Sequence, residues 1–94
     1  AVTTPGGDRD IELFEVCSEA VQRREPLRAI AALERYEREM PKSAFGSERT
    51  VLWIRALRLA GRLSEARALF EQARLDPAIN QRLLDELEDS LMMP

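Results

Sequence analysis

The sequence predicts an all-α fold built of antiparallel helical hairpins, about five helices in all. Three observations lead there. Ala, Leu, Glu and Arg dominate while Val, Ile and Thr are sparse, and the dominant residues lose little rotamer freedom in a helix. Apolar residues recur at spacings of three and four, the period of a buried helical face. Proline and glycine fall between those stretches, where they bound helices without breaking them.

The elements follow in order. Residues 1–9 open with AVTTPGG, which has no periodicity and reads as a flexible lead-in or linker. Helix 1 is expected from about Asp10 to Arg23, capped by Asp8 or Asp10, with Ile11, Leu13, Phe14, Val16, Cys17, Ala20 and Val21 on its apolar face. Pro26 opens helix 2, which presents Leu27, Ile30, Leu33 and Tyr36 and stops at Met40-Pro41. Ser47 is the expected N-cap of helix 3, which carries Val51, Leu52, Trp53, Ile54 and Leu57 to Ala60. Gly61 is placed to take the left-handed conformation after it. Helix 4 starts after Ser64 and turns Ala66, Leu69, Phe70 and Ala73 inward. Asp76-Pro77 then reads as the start of helix 5, which aligns Leu83, Leu84, Leu87 and Leu91. The organisation is thus a hairpin over 10–41, a second over 47–75, a capping helix over 77–91 and a tail over 92–94.

Composition narrows the function. The chain has 94 residues with 17 acids against 14 bases, a net charge of -3, which argues against a nucleic-acid partner. Histidine is absent and Cys17 is the single cysteine. That removes histidine-based acid–base chemistry, histidine metal ligands and an intrachain disulfide. Gly6-Gly7 lacks the Lys-Ser or Lys-Thr of a phosphate loop, and no stretch alternates oxygen ligands as a calcium loop does. No apolar run reaches the roughly 20 residues of a membrane span. The reading is therefore no enzyme, no cofactor, no metal, no direct membrane insertion and no small-molecule substrate.

The chain also repeats itself. An offset of 37 lays Ala29 on Ala66, Leu33 on Phe70 and Tyr36 on Ala73, and lays Cys17 on Ile54 and Ala20 on Leu57. Trp53, Leu57, Gly61, Ala66, Phe70, Ala73 and Pro77 follow the small-and-large pattern of the tetratricopeptide repeat, which the chain resembles over residues 10–91. Ile54 and Cys17 stand at the family's glycine place, and Tyr36 stands where a small alanine is usual. The first unit is about three residues longer than the common period of about 34. The run from Tyr36 through Phe45 resembles the long-repeat variety of bacterial envelope and membrane-anchored regulatory proteins. The resemblance implies a right-handed array with a concave groove that binds a peptide or helix of a partner protein or of the parent chain. It also implies a cytoplasmic or periplasmic setting.

Candidate binding residues follow from that pattern. Arginine supplies all the basic residues but Lys42. Either this reflects composition alone, or some arginines recognise carboxylates on a partner. Arg55, Arg58 and Arg62 share a face of helix 3. The resemblance turns Glu48, Val51, Arg55, Arg58 and Leu59 of helix 3 toward the groove, with Ile11, Phe14, Ser18, Val21 and Gln22 of helix 1 and Asp85, Glu88 and Asp89 of helix 5. Arg55 and Arg58 then either face a partner or pair with Asp85 and Glu88 inside the domain. Trp53 reads as core, with an interface anchor as the alternative. The expected function is a protein–protein interaction module; a self-associating domain, as a homodimer for instance, and a DNA-binding helical domain are the alternatives.

Overall fold

Helix α1 runs Pro5–Gln22, α2 Pro26–Glu39, α3 Gly46–Leu59, α4 Leu63–Leu75 and α5 Gln81–Met92. This computed structural model describes the backbone of residues 5–92 and the side chains of residues 9–88. Among them there is no strand, and the fold is all-α. Leu91, Asp89 and the tail fall outside the described side chains.

Several boundaries differ from the sequence expectation, each for a local reason. Helix α1 begins at Pro5, so residues 5–9 are helical and not lead-in; a proline at the first helical position gives up an N–H that would be unpaired anyway. Helix α3 begins at Gly46, after Phe45, so Ser47 lies inside the first turn. Asp76 does not cap α5. Its Oδ1 accepts from the Ala78 N–H at 2.9 Å, closing an Asx turn in the link. Asn80 caps α5 instead, its Oδ1 accepting from the Arg82 N–H at 3.0 Å.

The helices pack in a chain. Helices α1 and α2 form one hairpin, α3 lies on both of them and pairs with α4, and α5 lies on both α3 and α4. Among the described residues no backbone of α1 or α2 comes within 8 Å, Cα to Cα, of α4 or α5. The result is an open row, 45 × 29 × 20 Å, and not a closed bundle. Two core clusters follow its length. One joins Leu13, Cys17, Ala20, Val21, Ala29, Leu33 and Tyr36 to Leu52 and Ala56 of α3. The other joins Ile54, Leu57, Ala66 and Ala73 to Leu84 and Leu87 of α5. Ile30 and Trp53 pack against both and stitch them together.

The two hairpins turn alike. After α1 the Arg24 N–H bonds the Val21 carbonyl and the Glu25 N–H bonds the Ala20 carbonyl, each at 3.0 Å. After α3 the Gly61 N–H bonds the Arg58 carbonyl at 3.0 Å and the Arg62 N–H the Leu57 carbonyl at 2.8 Å. Both are Schellman closures with the central residue at positive φ. The offset of 37 carries one turn onto the other residue by residue.

Candidate functional site

The second hairpin carries an open cleft of about 470 Å³ beside α5. Ile54 of α3 and Ala66 and Phe70 of α4 form its apolar floor; Arg58, Arg67, Glu71 and Glu88 stand around it, with Leu63 at the mouth. Ile54 and Ala66 are buried in the core that α3 and α4 share with Leu84 and Leu87 of α5. Leu63 is 63% exposed, although an apolar side chain of that size is normally drawn inside.

The sequence-predicted binding residues separate into three groups. Arg58 and Glu88 meet at this cleft. Phe14 and Ser18 are half-buried on the first hairpin, and Phe14 lies against Phe45 with ring centroids 5.0 Å apart. Val51 is half-buried against the second core cluster. Arg55 is exposed. Asp85 and Glu88, weighed above as internal partners of Arg55 and Arg58, both bond Arg74 of α4 instead, Asp85 at 2.7 Å. Hydrogen bonds to Asp85 and the charges of both acids raise the Arg74 pKa. Among the described residues neither Arg55, Arg58 nor Arg67 has an ion pair. Trp53 lies between the two cores, as its core reading expects, and its buried indole N–H has no partner among the described residues.

The outer side of the first hairpin is different. A second cleft, of about 410 Å³, runs between α1 and α2 over Leu13, Val16 and Ala32. Its rim is laced by ion pairs: Arg9 with Glu12 and Glu39, and Arg35 with Glu39. Arg23 bonds Glu19 at 2.7 Å just beyond. Such exposed pairs add little stability, but they leave few free charges for a partner.

Sequence reasoning missed one polar cluster. Asp10 is 4% exposed. Its Oδ1 accepts from the Tyr36 hydroxyl and, at 2.6 Å, from Ser43; its Oδ2 accepts from the Ala44 N–H at 2.9 Å. Burial pushes the carboxyl pKa up, yet the bonds from Ser43, Tyr36 and Ala44 and the charge of Arg49 outweigh it and hold the group below its ordinary value. Burial, then the Asp10 bond, pushes Tyr36 up to about 12. Arg49 completes the cluster, its guanidinium 4.9 Å from the Tyr36 ring centroid and donating to the Met40 carbonyl at 2.7 Å. Every group has a structural partner, so the cluster ties the 40–45 link to α1. The repeat itself held the signal: the offset lays Asp10 on Ser47 and Ser43 on Asn80, and the Ser47 hydroxyl accepts from the Asn80 N–H at 3.0 Å.

Cys17 is fully buried in the first core, and burial raises its thiol to about 11, which disfavours the nucleophilic thiolate. Among the described residues no three His, Cys, Asp or Glu side chains cluster as metal ligands would, and no helix is long and apolar enough to cross a membrane. No family model, curated protein or solved structure matches the chain.

Proposed function

We propose that the chain is a protein–protein interaction module, a TPR-like row of hairpins that receives a peptide or helix of a partner at the cleft on α3 and α4. The open cleft bordered by half-buried Phe70 and by exposed Leu63 carries this reading. At the matching place on the first hairpin Leu33, the counterpart of Phe70, is fully buried in a core completed by α3. A half-buried phenylalanine beside a 63% exposed leucine, with arginines that make no ion pair among the described residues, has the character of recognition surfaces, which combine an apolar anchor with a polar rim. The packing order supports the array reading: α5 lies on α3 and α4 as α3 lies on α1 and α2. A role without chemistry agrees with the buried, protonated Cys17 and with an Asp10 whose oxygens are engaged in the fold.

The test is an unbiased selection of displayed peptides on the immobilised full chain, followed by mapping of the winners on its amide resonances. Peptides that compete with one another and shift the amides of Ala66, Arg67 and Phe70 support the reading. A selection that enriches nothing, or only peptides that shift other surfaces, overturns it.

A further inference from the structure

Within the row, α3 does the stacking. It lies on the first hairpin through Leu52, Trp53 and Ala56, which join the core of Leu13, Cys17, Ala29 and Leu33. Leu52 and Ala56 are buried by that contact. Arg49, one turn earlier, donates to the Met40 carbonyl at 2.7 Å and covers the Tyr36 ring. These four residues follow spacings of three and four and so share one face of α3.

The offset of 37 finds the same face on α1, with different chemistry. Arg49, Leu52, Trp53 and Ala56 match Glu12, Glu15, Val16 and Glu19. The neighbouring face of the helix keeps its apolar character: Cys17 and Ala20 match Ile54 and Leu57, and all four are buried. The change is therefore confined to the face that stacks in α3. On α1 that face is open. Glu12, Glu15, Val16 and Glu19 are all exposed and line the outer cleft of the first hairpin. Glu12 pairs with Arg9 at 3.6 Å, and Glu19 with Arg23 at 2.7 Å. A hairpin placed ahead of α1, as the first hairpin lies ahead of α3, would draw three carboxylates out of water. The side chains it sets against them, copies of Cys17, Ala29 and Leu33, are apolar or a weak thiol donor and cannot replace that hydration.

We infer that the outer face of the first hairpin is a built end of the row: Glu12, Glu15 and Glu19 bar a further hairpin of this kind from stacking on α1. Terminal units of a stacked array need a polar outer face, and here three acids at stacking positions supply it. The inference rests on the packing of the row and is independent of the cleft on α3 and α4.

A lengthened chain tests it. Residues 1–45 are joined to residues 9–94, so that the offset of 37 places the second copy of α1 where α3 follows the first hairpin in the parent chain. One version keeps the native residues. The other carries Glu12→Arg, Glu15→Leu and Glu19→Ala in the second copy, the residues that α3 has at those places. Hydrogen exchange is read at the amides of Ala29 and Leu33 in the added hairpin, resolved by segmental labelling. With the native acids these amides should exchange at least about a hundredfold faster than in the parent chain, where α3 covers them. The three changes should restore most of the protection. The exchange pattern of the second copy, compared with that of the parent, shows that the rest of the chain is folded in both versions. Parent-like protection in the native version shows that the face accepts a hairpin and overturns the inference. Poor protection in both versions shows that these acids are not what bars stacking and overturns it equally. A peptide selection with no binder at the cleft overturns the module reading and leaves this inference standing.

Discussion

Arg24 and Gly61 hold the same place in the two hairpins, and both have positive φ, 57° and 79°. The hydrogen bonds around them match, yet one turn is made by the residue suited to it and the other by a residue that is not. At the far end the order reverses. The first hairpin is pinned to its following link by the Asp10 carboxylate, through Tyr36, Ser43 and Ala44. The second is held to its following link by the Ser47 hydroxyl on the Asn80 N–H and by the Gln81 side chain on the Ala73 carbonyl, with Ala73 where Tyr36 stands. One fold unit thus combines a strained turn, held by its own Schellman bonds, with charge-assisted bonds at its other end. The other has a relaxed turn and neutral bonds to its link. The comparison locates rigidity in the first hairpin and availability in the second.

The largest expected effect removes the pin. Asp10→Ala leaves a buried phenol, a hydroxyl and a backbone N–H without their acceptor and should cost about 2–4 kcal/mol, read by urea unfolding. Ser47→Ala, its counterpart, should cost about 1 kcal/mol. Equal losses would erase the contrast between the ends. Acid sharpens the same point. The folded pKa of Asp10 is depressed, so its contribution is complete above the unfolded value of about 3.9 and is lost as pH falls through the folded value. Part of the parent's loss of stability below about pH 4 should therefore be missing in Asp10→Ala.

Next in size is Ala66→Leu. Ala66 is 4% exposed at the crossing of α3 and α4, and overpacking it should cost about 1–3 kcal/mol. An unchanged urea midpoint would show that the second hairpin yields at this contact. The turns come third, with opposite signs. Arg24→Gly should stabilise and Gly61→Ala destabilise, each by about 1 kcal/mol. A Cβ at Gly61 meets nothing within 4 Å, so any loss reports the backbone alone. The smallest effect is on the candidate binding residues. Arg55→Ala with Arg58→Ala should move the melting midpoint by no more than about 0.5 kcal/mol equivalent, because neither has an internal ion pair among the described residues. A collapse of the melt would place both in the fold instead of at a partner.

Much of the fold was legible because it rests on local periodicity. Leu13, Cys17 and Ala20, or Ala29, Leu33 and Tyr36, declare a buried face by spacing alone. Gly61 declares its turn because only glycine takes positive φ without strain. Arg24 gave no such signal, since its conformation is imposed by the bonds around it and not by its own preference. Asp10 was mistaken for a cap because a helix start and a buried acceptor use the same residue type. Its real partners lie 26 to 34 positions away.

The sequence by itself determined five helices, their apolar faces and the repeat that relates the two hairpins, since propensity, spacing and turn chemistry act within a few residues. Tertiary structure alone decided which charges are spent. Arg74 takes Asp85 and Glu88 because α5 lies along α4, and Arg58 and Arg67 line one cleft with no ion pair among the described residues. Coulombic and hydrogen-bonding partners are set by distance across elements, which spacing along one helix cannot supply.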